Sequence, residues 1–161
     1  MRRGEKRQSS TFETQLRAIY AEVDGLFAGI GCDASTDCCH FGRTGREPYP
    51  TAVELAEVER AIRARGGLPK RRSLALAGER RCALLSDEGR CLVYASRPFG
   101  CRTFFCERAK GPAGEAPPPQ RGGEVGRLAR AVADLSARYA PNDPGPRPLS
   151  RAMGPWESRK R

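Results

Sequence analysis

The chain has 161 residues and a formal net charge of +10, with 39% hydrophobic residues, 18 glycines and 13 prolines. This length fits one domain, and the composition predicts a small core with much loop. No stretch approaches the roughly 20 apolar residues of a membrane span. No apolar run of signal-peptide length follows the basic start MRRGEKR. We therefore expect a cytoplasmic protein that has no membrane association.

The first predicted element is a helix that begins at Ser10, after a flexible basic N-terminus at residues 1–9. Ser10 and Glu13 have the spacing of a capping box, in which each side chain binds a free backbone N–H group. Apolar residues then recur at helical spacing, which predicts one buried face. They are Phe12, Leu16, Ile19, Val23 and Leu26. Gly29 and Gly31 are expected to end this helix.

A second helix is predicted to begin at Thr51, where Glu54 completes another capping box, and to end before Gly66-Gly67. Farther along, two short apolar runs that begin at Cys82 and Cys91 flank the polar turn Ser86-Asp-Glu-Gly89. This pattern predicts a β-hairpin. The pairing would bring Cys82 and Cys91 close together.

The last third of the chain is predicted to be helical, with a linker and a tail. Ser96 is expected to cap a brief helical turn that carries Cys101, and residues 110–123 are read as a Pro/Gly linker. A final helix spans about 125–139, and a Pro-rich basic tail occupies 141–161. The expected fold is a small α+β domain at residues 10–140. It is mainly helical, with a short β-hairpin and much loop, and it is organised around a cysteine metal site.

Seven cysteines are the strongest functional signal. In a reducing compartment, clustered thiols more often hold metal than pair with each other, and a metal would staple a small core. The order of preference for the ligands is Cys39, Cys82, Cys91 and Cys101, then Cys38, with Cys32 and Cys106 as additional or second-site ligands. Neighbours in extended chain point to opposite sides, so Cys38 and Cys39 are not expected to share one small ion. His40 is either a ligand or a hydrogen-bond donor to one.

These features, in this order, resemble the YkgJ-type cysteine-cluster family, the zinc- or iron-chelating CxxCxxCC domain. The family's opening motif aligns with CDASTDCC at residues 32–39, and its later half aligns with Cys82, with GRCLVY at 89–94 and with RPFGCR at 97–102. The resemblance covers roughly residues 26–110 and implies a zinc- or iron-chelating domain. The motif's second cysteine is Ser35 here, and a hydroxyl is a poor ligand for a soft metal. Cys106 is our candidate replacement.

The sequence therefore predicts a metal-binding protein that chelates zinc or an iron–sulfur cluster and has a structural, redox or metal-handling role. Ligation by cysteine alone permits either metal, and the arginines Arg97 and Arg102 near Cys101 are expected to lower thiol pKa values.

Two alternatives remain open at this point. The wider family is described as resembling flagellin lysine N-methylases, which would imply a protein-modifying enzyme. However, the chain lacks a Gly-rich strand-to-helix motif for a methyl donor, so an enzyme is the less favoured class. The positive charge would suit an acidic partner or nucleic acid, with the basic run at residues 60–72 as the contact surface.

Overall fold

The computed structural model describes residues 3–31, 36–68, 80–106, 108–117 and 122–153. Within these ranges the chain forms six α-helices and two short 3₁₀ turns. The helices are α1 Arg3–Leu26, α2 Phe41–Thr44, α3 Ala52–Ala64, α4 Phe99–Thr103, α5 Gly123–Tyr139 and α6 Leu149–Met153. The 3₁₀ turns are Asp37–Cys39 and Tyr94–Ser96.

Helix α1 begins at Arg3, so the predicted start at Ser10 is wrong. Ser10 lies inside the helix, where its carbonyl accepts a hydrogen bond from the Thr14 hydroxyl at 2.9 Å. The residues before Ser10 include Glu, Lys, Arg and Gln, which favour helix. The helix therefore begins before the capping signal at Ser10. The predicted end is close to the observed one, because α1 stops at Leu26 and Gly29 adopts a left-handed conformation with φ of +83°.

The first hydrophobic cluster joins α1, α5 and the start of α3. Its buried side chains are Leu16, Tyr20, Val23, Phe27, Val53, Phe99, Val125, Leu128, Val132 and Leu135. The apolar face predicted for the last helix is therefore confirmed, as is that of the first helix except at Leu26, which is 38% exposed. The Val53 N–H group also donates to the Ser136 hydroxyl at 3.3 Å, which ties α3 to α5.

Helix α3 lies between this cluster and a second one. The capping box at its start is confirmed, with the Thr51 N–H group donating to the Glu54 carboxylate at 2.8 Å. The second cluster contains Phe41, Leu55, Val58, Ile62, Cys82, Leu84, Leu85, Val93, Leu149 and Met153. The cysteine-bearing loops and α6 thus pack on the side of α3 that faces away from the first cluster.

The predicted β-hairpin, and with it the α+β fold class, is wrong. The described residues contain no β-strand, and the two runs around the polar turn share one isolated antiparallel pair, Leu85 with Cys91. Successive side chains of a strand point to opposite faces, yet Leu84 and Leu85 are both buried in the same cluster. A two-stranded hairpin is also marginal without a sheet to join. The domain is therefore mainly helical.

The helices that the structure describes are all too short or too polar to cross a lipid bilayer.

Candidate functional site

Three chain segments meet where the cysteines lie. The 3₁₀ turn at 37–39 carries Cys38 and Cys39, and the Cys82 N–H group donates to the Cys39 carbonyl at 2.8 Å. The next residues continue this contact, because His40 and Arg81 form an isolated antiparallel pair. Residues that are far apart in sequence are thus held side by side by backbone bonds.

The polar turn brings Cys91 to the same place. The Ser86 N–H group donates to the Arg90 carbonyl and the Leu92 N–H group donates to the Leu84 carbonyl, both at 2.8 Å. Cys82 is a buried member of the second cluster, and Cys39 and Cys91 pack against that cluster half-buried. Cys82 and Cys91 thus belong to the same cluster, although the residue that pairs with Cys91 is Leu85 and no strand forms in this described segment.

Cys101 reaches the group from helix α4. Burial raises the pKa of its thiol well above the ordinary value, and the negative charges of Cys82, Cys91, Cys38 and Glu54 raise it further. Like charges act in this way only at short range. The Cys101 thiol is therefore close enough to the other thiols to be affected by their ionisation.

Arg102 does not act on Cys101 as the sequence analysis expected. Its buried guanidinium pairs with Asp24, donates to the Arg97 carbonyl at 2.9 Å and lies 3.9 Å from the centre of the Tyr20 ring. It therefore fixes α4 against α1, and the pKa of Cys101 is raised rather than lowered. The charge of Arg97 makes a minor contribution to the lowered pKa of Cys38, whereas burial raises the pKa of Cys91 in spite of Arg97.

A buried carboxylate holds the start of α4, and sequence reasoning missed this role. Glu54 is 2% exposed. It accepts hydrogen bonds from the Phe99 N–H group at 2.6 Å and from the Tyr20 hydroxyl at 3.3 Å, in addition to the capping contact with Thr51. The capping box identified Glu54 as a helix-start residue, but only the tertiary fold places it beside Cys101.

The two adjacent thiols face the same side, contrary to expectation. Cys38 Sγ and Cys39 Sγ are 3.9 Å apart. The expectation assumed extended chain, whereas these residues lie in a 3₁₀ turn, whose tighter geometry removes the alternation of side chains. Two thiolates on one tetrahedral zinc ion, each about 2.3 Å from it, are about 3.8 Å apart. The observed distance between the Cys38 and Cys39 sulfurs is close to this value.

The same contact shifts the two thiols in opposite directions. The hydrogen bond from Cys39 lowers the pKa of Cys38 to about 7, and the same bond together with burial raises the pKa of Cys39. The thiolate is the metal-binding form of cysteine, and the lowered pKa favours that form at Cys38. Cys38 is also the exposed member of the pair.

The structure says less about the remaining candidate ligands. In the described part of the chain, no set of three or more His, Cys, Asp or Glu side chains is arranged to hold a metal ion. Cys106 lines a cleft with Asp37, Arg43, Thr44 and Arg108. His40 Nδ1 is buried and has no hydrogen-bond partner among the described residues. Cys32 and Ser35 lie outside the described residues.

The basic run proposed for an acidic partner is largely paired where it is described. Arg60 contacts the Glu57 carboxylate at 2.6 Å, and Arg63 contacts Glu59 at 3.1 Å. Lys70 and the arginines at 71 and 72 lie outside the described residues. The arginines on α3 thus serve ion pairs within the protein.

Glu57 links α3 to the cysteine region and gives a pH prediction. Burial raises its pKa, but hydrogen bonds from Arg60, Ser96 and Arg17 outweigh that effect and leave the pKa below its ordinary value of 4.5. Ser96 therefore binds Glu57, at 2.9 Å, rather than capping α4 as predicted. A depressed pKa stabilises the fold above the unfolded value, and this stability is lost as the pH falls through the folded value.

Glu57→Gln should therefore reduce the free energy of unfolding at pH 7 by about 2 kcal/mol, because charge-assisted hydrogen bonds are lost. It should also flatten the loss of stability below about pH 4.5. Urea unfolding at several pH values measures both effects. Glu22→Gln, which alters an exposed pair with Arg127, is the matched control and should change little. An unchanged acid dependence in Glu57→Gln would contradict this assignment.

The chain matches no family model, no curated protein and no solved structure. The resemblance to the YkgJ-type family therefore stays a prediction carried by its motifs.

Proposed function

We propose that this protein binds a soft metal, either a zinc ion or an iron–sulfur cluster, through thiolates drawn from Cys38, Cys39, Cys82, Cys91 and Cys101. One observation carries the proposal. The Cys38 and Cys39 sulfurs have the separation of two ligands on one tetrahedral ion, and the other three thiols come from distant segments to the same region.

Electrostatics supports a cation at this place. Burial and the charges of nearby thiolates raise the pKa of Cys101, and the buried Glu54 carboxylate adds a further negative charge near it. Several anionic groups in a partly dry environment repel each other strongly. A bound cation would offset that repulsion, and its binding would release the thiol protons.

The pair geometry also bears on the kind of metal centre. A cubane cluster takes one thiolate on each of its four irons, whereas a single zinc ion or a two-iron cluster takes two thiolates on one metal. The 3.9 Å separation therefore favours zinc or a [2Fe–2S] cluster. Completing the ligand set from Cys82, Cys91 and Cys101 requires rotation of cysteine side chains between staggered rotamers.

The proposed role is structural. Cys39, Cys82 and Cys91 belong to segments that meet through backbone bonds and the second cluster. Cys101 lies on α4, which Glu54 and Asp24 hold in place. Joining them through one centre converts metal-binding free energy into folding free energy. A reducing cytoplasmic compartment would keep the thiols in the form that binds metal.

Anaerobic purification followed by metal analysis and a visible absorption spectrum tests the proposal. We expect stoichiometric zinc, or iron with sulfide and a brown colour. Cys91→Ser and Cys101→Ser should each lower the metal affinity at least about 100-fold, because a thiolate ligand is lost. Cys106→Ser is the control and should bind as the wild type does. Protein that lacks both metals, or serine variants of Cys91 and Cys101 that bind normally, would overturn the proposal.

A further inference from the structure

The five thiols differ in their access to solvent. Cys38 is exposed, Cys39, Cys91 and Cys101 are half-buried, and Cys82 is buried at 6% exposure. An ion that approaches from outside therefore meets Cys38 first. From there the next sulfur, that of Cys39, is only 3.9 Å away, so a bond to it can form while the ion is still bound to Cys38.

A cleft opens at Asp37, the residue that precedes Cys38 in the chain. It has a volume of about 290 Å³ and is lined by Asp37, Arg43, Thr44, Cys106 and Arg108. Asp37 directly precedes Cys38, and the Arg43 and Arg108 guanidinium groups lie 3.1 Å and 4.0 Å from its carboxylate. Both arginine side chains are more than half exposed, at 63% and 57%. Arginine side chains of this kind bind carboxylates.

We propose that Cys38 is the exchange thiol through which metal passes between a small anionic thiol carrier, seated in this cleft, and the more buried cysteines. This inference rests on the proposed function and adds a route and a class of partner to it. The carrier is a low-molecular-weight thiol that bears carboxylate groups and delivers the ion as its thiolate complex.

The step is a ligand exchange without any change of oxidation state. The Cys38 sulfur forms a bond to the metal as the bond from the metal to the carrier's sulfur breaks. The proton of the Cys38 thiol ends on the released carrier thiol. Cys39 and the inner thiols then replace the carrier's remaining sulfur ligands by the same exchange, each thiol proton passing to the thiol that is released, and the carrier leaves the cleft.

Stopped-flow transfer of Zn²⁺ from its glutathione complex to the metal-free protein tests the route, alongside equilibrium competition for Zn²⁺. Cys38→Ser should slow the initial transfer about tenfold or more, whereas Cys91→Ser should weaken the equilibrium affinity while leaving the initial step close to the wild-type rate. Wild-type protein that takes up no zinc would defeat the proposed function and this proposal together. Zinc binding by the wild-type protein, together with an unchanged transfer rate in Cys38→Ser, would defeat this proposal alone.

The cleft is tested by changing the carrier. Arg43→Gln should slow transfer from the zinc–glutathione complex about threefold or more, because a carboxylate contact is lost. It should not slow transfer from the zinc–cysteamine complex, whose carrier has no carboxylate. An equal effect on the two carriers, or no effect on either, would overturn the assignment of an anionic carrier.

Discussion

Removing the metal should release the cysteine-bearing side of the protein and leave helices α1 and α5 packed. The two hydrophobic clusters respond differently because they have different partners. The cluster between α1 and α5 contains no cysteine. The other cluster includes Cys82 and has Cys39 and Cys91 packed against it, so the loss of the proposed metal–thiolate bonds falls on that side.

Hydrogen exchange of the metal-loaded and chelator-treated protein measures this effect. The amides of Cys82 and Leu92, which bond to the Cys39 and Leu84 carbonyls, should exchange at least about tenfold faster once metal is removed, because local opening becomes easier. Amides in the middle of α1 and α5 should keep their protection. Uniform loss of protection would show that the helices also depend on the metal, and no change at either amide would deny the metal its structural role.

Helices in which apolar residues recur every three to four positions were predictable from the sequence. The faces of α1 and α5 and the capping box of α3 were recognised correctly, because periodicity and capping are local signals. The start of α1 was predicted wrongly, because the residues before Ser10 also favour helix and the helix begins at Arg3. The hairpin failed because burial of both Leu84 and Leu85 overrides the strand-like pattern.

The sequence singled out the cysteines, but it did not predict how they are arranged. Residue type and number pointed to Cys39, Cys82, Cys91 and Cys101, and the fold brings their segments together. The 3.9 Å contact between Cys38 and Cys39 depends on a 3₁₀ turn, which no periodic pattern marks. The buried partners of α4, such as Asp24 and Glu54, come from helices distant in sequence, and a single sequence carries no signal for such contacts.

Replacing Glu54 with alanine should be among the most damaging single changes in the protein. The substitution leaves the N–H groups of Thr51 and Phe99 and the Tyr20 hydroxyl without their buried acceptor. Each unsatisfied buried polar group costs about 1–3 kcal/mol, so we expect a loss of about 3–5 kcal/mol in the free energy of unfolding. Urea unfolding of metal-free protein measures this loss without a contribution from metal binding.

The same change should weaken metal binding, because the Glu54 contact to Phe99 fixes the start of the helix that presents Cys101. Glu59→Ala is the matched control on α3. Its carboxylate is paired with the exposed Arg63 side chain, and exposed pairs contribute about 0–1 kcal/mol. If Glu54→Ala cost no more stability than Glu59→Ala, the carboxylate would not be the anchor of α4. If Glu54→Ala lowered the stability but left the zinc affinity normal, the position of α4 would not matter for zinc binding. That result would contradict the assignment of Cys101 as a ligand.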